Sequence, residues 1–132
     1  MRRADLEAHR WLVLQRRAAE QALLEQSTIV LGATNYDAMP RAGDASRVTE
    51  NKSIALEMAF SEFARLDKAV SSSLDAGILS WVSAIEDIRV KMIIVLYFLE
   101  GNTWQEVARR MGGGNTEEGV KAVFYRFLPP DD

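Results

Sequence analysis

The sequence of 132 residues contains no cysteine and only one histidine. Without cysteine there is no disulfide, no thiolate zinc site and no cysteine nucleophile. With His9 alone, a multi-histidine metal site or a Ser-His-Asp triad would need a second chain. The charged residues around His9 predict a solvated surface side chain. No apolar run reaches the roughly 18 residues of a membrane span. Arg2 and Arg3 are not followed by a signal-peptide apolar core, so the expected location is cytoplasmic. A basic excess is lacking too. The formal net charge is −3, which removes the bulk attraction to polyanions that a nonspecific nucleic-acid binder relies on.

Catalytic groupings are also missing. Glu57, Glu62 and Asp67 follow one another at intervals of five, which spreads them round a helix instead of clustering them. Gly112-Gly113-Gly114-Asn115-Thr116 lacks the Gly-Lys-Ser/Thr ending of a phosphate loop. The expectation is a protein that is not an enzyme, with no catalytic residues, no metal and no cofactor.

What is present is helical periodicity, and no segment reads as a credible strand. From Asp5 to Gln26, Trp11, Leu14, Ala18 and Ala22 recur at three and four, widened by Leu12, Ala19 and Leu23. This is either a bundle helix or a dimerisation helix, with Trp11, Leu14 and Leu23 as its contact residues. Gly32, Asn35, Pro40, Gly43 and Asp44 then break the pattern. A second helix is predicted from about Thr49 or Asn51. Ala55, Ala59, Phe63, Leu66 and Val70 form its stripe, and Leu56, Met58 and Phe60 make a second apolar side. Ser71-Ser72-Ser73 and Gly77 weaken the helix before it resumes over most of 74–86, and another helix is predicted over Asp87 to Leu99. The fold class is therefore all-α: a helical bundle with long N-terminal and central helices and a C-terminal helix-turn-helix. The domains expected are an N-terminal arm 1–31, a linker 32–48 and a domain 49–132.

The last third carries the functional signal. Gly101 suits a left-handed C-cap, and Thr103-Trp104-Gln105-Glu106 spells a capping box. Val107, Ala108 and Met111 face inward, while Gln105, Arg109 and Arg110 face outward. Three glycines then make a turn, and Asn115 or Thr116 caps a last helix that opens with Glu117 and Glu118. Val120, Val123, Phe124 and Phe127 form its inner stripe. Lys121, Ala122, Tyr125 and Arg126 lie opposite, and Pro129-Pro130 ends the helix. Two short helices joined by a tight glycine turn are the grammar of a helix-turn-helix.

Asp87-Ile88-Arg89, Leu96-Tyr97, Gly101 to Ala108 and Met111-Gly112 resemble region four of bacterial sigma factors. The match is similar still to a family of short phage and prophage proteins with a sigma-region-four-like tail, some of them late-transcription regulators. Asp37-Ala38-Met39-Pro40-Arg41-Ala42-Gly43 resembles that family's Met-Pro-Arg-Gly segment, so the likeness runs from about Tyr36 to Leu128. The triple glycine and Asn115 depart from the shorter glycine-plus-serine turn of the sigma pattern.

The resemblance implies double-stranded DNA as partner, in a bacterial host cytoplasm, with host RNA polymerase as a further contact; a homodimer is the acting form expected if the N-terminal helix is a dimerisation helix. By that analogy Lys121 and Tyr125 face base edges, and Thr116 binds phosphate. Arg109, Arg110 and Arg126 grip the backbone, and Glu117 or Glu118 accepts from a cytosine amino group. Gln105 and Asn115 complete the set. From Asp87 onward, however, seven acidic residues oppose six basic ones, without the basic footprint of a DNA reader. The alternative is an interaction protein of a mobile element that binds and inhibits a host protein, such as RNA polymerase or a defence nuclease.

Overall fold

The computed structural model describes the backbone of residues 1–34 and 44–130 and the side chains of 1–29 and 53–130. The fold is all-α, with no strand among the described residues. The helices are α1 (Arg3–Thr34), α2 (Asp44–Ser73), α3 (Leu79–Ser83), α4 (Ile88–Ile94), α5 (Trp104–Met111) and α6 (Glu117–Phe127). Wider π-type turns at Leu74–Ile78 and Val95–Leu99 continue α2 into α3 and extend α4.

Both long helices exceed their expected limits. α1 passes through Gly32 to Thr34, and α2 starts at Asp44 instead of near Thr49. Once nucleated, a helix adds one hydrogen bond per residue fixed, so an isolated unfavourable residue does not stop it. Asn35, Pro40, Arg41 and Gly43 lie outside the described residues, as does the Asp37–Gly43 segment of the family resemblance.

The chain divides into two units: Met1–Leu14 together with Ala69–Asp132, and Gln15–Lys68. The first three turns of α1 thus belong with the C-terminal helices, a grouping that the arm, linker and domain division does not contain.

In the first unit the core is Leu6, Ile78, Val82, Ile85, Val90, Ile93, Ile94, Phe98, Val107, Ala108, Val120 and Phe124. Phe98 and Phe124 are each 1% exposed, with ring centroids 5.1 Å apart. Burying each contributes on the order of 2–3 kcal/mol. Gly77, at φ 129°, makes the kink between α2 and α3. Asp87 caps α4, its Oδ1 accepting from the backbone N–H groups of Arg89 (2.9 Å) and Val90 (3.3 Å).

Two expectations about α1 are corrected here. His9 is not solvated: it is 1% exposed, and its Nδ1 lies 2.8 Å from Ser73 Oγ. The inward stripe is Leu6, His9 and Val13, at 0%, 1% and 3% exposure, whereas Trp11 is 62% exposed. Ala18 and Ala22 are also exposed, and Leu14 is half-buried. Apolar residues on α1 are spread widely enough to permit either face, and the partners brought in from residue 69 onward select the one carrying Leu6.

The second unit is a helical hairpin. Arg16 Nη1 meets Asp67 Oδ1 at 3.1 Å, and further along Leu23, Leu24 and Ser27 share a groove with Leu56, Glu57, Phe60 and Ser61. Numbers rise on α1 as they fall on α2, so the two stretches run antiparallel. The Ala55-Ala59-Phe63-Leu66 stripe turns inward as expected, while Met58 and Phe60 remain 68% and 61% exposed.

Candidate nucleic-acid interface

The tail begins at the end of the π-type turn. Gly101 takes φ 77°, the left-handed conformation expected of it. Asn102, 3% exposed, then ties the turn down: its Nδ2 donates to Leu96 O at 2.9 Å and its backbone N–H to the same oxygen at 3.0 Å. Arg10 closes the turn from α1. Its Nε donates to Tyr97 O (3.1 Å), its Nη2 donates to Asn102 O (3.2 Å), and its guanidinium lies 4.1 Å from the centroid of the Tyr97 ring. The Tyr97 ring stacks on Trp104, centroids 3.8 Å apart and 14° from parallel. A guanidinium, a phenol and an indole therefore form one stack that sets where α5 starts.

α5 opens with the expected capping box. Glu106 N–H donates to Thr103 Oγ1 at 3.2 Å, and Thr103 N–H donates to Glu106 Oε1 at 3.3 Å. Val107 and Ala108 are buried, Met111 is half-buried, and Gln105, Arg109 and Arg110 point outward. Gly112, Gly113 and Gly114 follow with φ of 65°, 64° and 77°. Three consecutive positive-φ residues fold the chain back sharply, a path that strains a Cβ-bearing residue at each position.

Thr116, rather than Asn115, caps α6, its Oγ1 accepting from Gly119 N–H at 3.0 Å. A Cβ on Gly119 would lie 3.0 Å from that oxygen, so glycine leaves room for the cap. Asn115 is held elsewhere: its Oδ1 accepts from Arg89 Nη2 at 3.0 Å and its Nδ2 donates to Gly112 O. It locks the turn to α4. Val120 and Phe124 are buried and Val123 half-buried, as the stripe predicts. Phe127 is a correction. It is 42% exposed, at the rim of the unit, with its ring 6.1 Å from that of Trp81, because the helix ends there and offers nothing beyond to cover it.

The outward face of α6 brings together Glu117, Glu118, Ala122, Tyr125 and Arg126, all exposed, with Lys121 half-buried among them. Lys121 Nζ lies 3.2 Å from Glu117 Oε1 and 4.0 Å from Glu118 Oε1. The Glu117 hydrogen bond, aided by the charges of both glutamates, holds the Lys121 ammonium above the ordinary lysine range. Its cation is thus partly neutralised by its own helix. Arg110 faces Glu100 across 3.8 Å, whereas the Arg109 and Arg126 guanidiniums have no hydrogen-bond or ion-pair partner among the described residues. Tyr125 is 44% exposed, with the Arg3 guanidinium 4.5 Å from its ring centroid.

Arg3 and Arg10 are the residues that sequence reasoning missed. Arg3 Nη2 donates to Leu128 O at 2.7 Å, so the start of α1 is strapped to the end of α6. The signal was a spacing. Leu6, Arg10 and Val13 follow at four and three, which places Arg10 beside the buried stripe.

No metal-binding group of three His, Asp or Glu side chains occurs among the described residues. No helix among them is long and apolar enough to cross a membrane. No protein-family model, curated protein or solved structure matches the chain.

Proposed function

We propose that the chain is a DNA-binding transcriptional regulator of the phage type, reading duplex DNA through α5 and α6 as a helix-turn-helix. The observation that carries this reading is the pair of capped helices joined at a positive-φ triple glycine, with Arg109 and Arg126 free on the outward side. In such a motif the second helix enters the major groove and the first crosses the backbone. Arg109 and Arg126 then grip phosphates. Glu117 and Glu118 N–H groups at the start of α6 add donors to a phosphate, because Thr116 caps only Gly119. Tyr125 and Ala122 present the apolar contact, and Lys121 reads a base once it leaves Glu117.

Selection from random duplex DNA with the purified chain tests this. A single enriched motif supports the reading, and Lys121→Ala with Arg126→Ala should abolish binding to it while leaving the far-UV circular dichroism unchanged. A pool that stays unenriched at low and moderate salt rejects it.

A second reading rests on the Glu117–Lys121 pair. A recognition helix that neutralises its own lysine, in a tail with one more acid than base, also suits a surface that binds a host protein such as RNA polymerase or a defence nuclease. Under that reading a stoichiometric partner is retained from host lysate, and the Lys121 and Arg126 substitutions leave DNA affinity unmoved because there is none to lose.

A further inference from the structure

We propose that the Gln15–Lys68 hairpin is an interface between two copies of this chain, packed face to face and antiparallel as four helices. The inference stands apart from the reading of α6 and holds whether or not that helix meets DNA.

The first ground is how little the hairpin buries. Leu66 is the one fully buried side chain among its described residues. Two helices share a single seam, and most helical stability in water comes from packing an apolar face against something else. Here that face is uncovered. Leu24 and Phe60 are 56% and 61% exposed, on either side of the groove that Leu23 and Leu56 help to line. A second, more polar hollow on α1 shares Leu24 with the first and adds the exposed Ile29 beside Gln21, Glu25 and Thr28.

The second ground is charge, and it selects the occupant. The described residues nearest the base of the hairpin (15–19 and 64–68) carry Arg16, Arg17, Arg65 and Lys68 against the single acid Asp67, with Arg16 paired to Asp67 and Arg65 to Glu62 inside the same copy. The adjoining stretch (20–29 and 53–63) carries Glu20, Glu25, Glu57 and Glu62 and no cation. A face of one sign fits a partner of the other sign. A face that carries both signs, displaced along its length, fits its own copy turned end for end. A two-fold axis across the hairpin lays the cationic base of each copy on the glutamates of the other, whereas parallel pairing stacks base on base. An isologous two-fold contact is also the commonest route to a closed oligomer. Leu23 of the expected dimer contacts lies in this hairpin, while Trp11 and Leu14 belong to the other unit.

Sedimentation equilibrium of the full chain tests the proposal. At about 100 µM, where a dimer with Kd of about 1 µM is nearly complete, the mass should be twice the 14.8 kDa of one chain. Leu24→Glu with Phe60→Glu should return it to a monomer with unchanged far-UV circular dichroism. Two charge variants fix the geometry: Arg17→Glu with Lys68→Glu in one chain, and Glu25→Lys with Glu57→Lys in another. Each alone should weaken dimerisation by about tenfold or more, and an equal mixture should recover a heterodimer near wild-type affinity. All four positions are exposed, so this pair carries the test even if the apolar double variant loses its fold. A monomeric wild type, or a dimer indifferent to all these changes, overturns the interface. A mixture that fails to recover overturns the antiparallel pairing.

Discussion

Arg10→Ala offers the most direct measure of how the tail is held. The guanidinium donates to two backbone carbonyls, Tyr97 O and Asn102 O, and stacks 4.1 Å from the Tyr97 ring centroid. Hydrogen bonds to a charged group contribute about 1.5 kcal/mol each at the lower end, which suits a partly exposed side chain. The stack adds about 0.5–1 kcal/mol. Alanine should therefore cost about 3–4 kcal/mol, a large share of the roughly 5–15 kcal/mol that holds a domain together. Arg10→Lys keeps the cation and at most one of the two bonds, so its cost should be near half that of alanine. Urea unfolding followed by tryptophan fluorescence reads both, because Trp104 lies directly under the Tyr97 ring. A double-mutant cycle with Tyr97→Leu should return a coupling of about 0.5–1 kcal/mol for the stack. A loss below about 1 kcal/mol for Arg10→Ala would falsify the assignment of the first turns of α1 to the C-terminal unit, since a solvated surface arginine costs no more than that.

The remaining expectations concern the tail and the kink. Glu117→Gln with Glu118→Gln releases Lys121 and removes two carboxylates from the outward face of α6. If α6 reads DNA, affinity should rise on the order of tenfold, measured by fluorescence anisotropy at one fixed salt concentration; unchanged binding would count against the DNA reading. In Glu117→Gln the Lys121 ammonium should titrate back toward the ordinary lysine range by NMR. Because its folded value is the raised one, the pair stabilises the fold below that range and the contribution fades only as pH climbs through the raised value. Thr103→Ala should cost about 1 kcal/mol by losing the capping box, and Thr103→Ser should restore most of it in thermal unfolding. Gly77→Ala should cost more than Gly113→Ala, even though an added Cβ meets nothing within 4 Å at either site. The difference is backbone strain: φ 129° lies far outside the φ range of the left-handed well, whereas φ 64° falls within it.

Legibility in the sequence followed the range of the interaction. The Thr103 box, the Gly101 cap, the triple-glycine turn and the Val107-Ala108 and Val120-Phe124 stripes each depend on residues within a few positions of one another. Side-chain-to-backbone bonds, allowed φ values and helical spacing are local physics, so they are readable without coordinates.

Other features depended on which distant residue arrived. His9 is surrounded by charge along the chain, but Ser73 comes to it in space. Trp11 is the largest apolar residue on its helix and still faces outward, because the face with Leu6 and Val13 is the one taken into the core. Asn115 could have faced a ligand, but Arg89 and Gly112 hold it to the turn. Arg3 and Arg10 reach partners 125 and 87 positions away. The sequence by itself determined an all-α chain ending in two capped helices around a glycine turn, because those features rest on hydrogen bonds and dihedrals within one or two turns. Only the tertiary structure decided which side of α1 is inside and which cations of the tail remain free. Burial and ion pairing depend on what packs alongside, and long-range packing chose among faces and partners that local spacing left equally available.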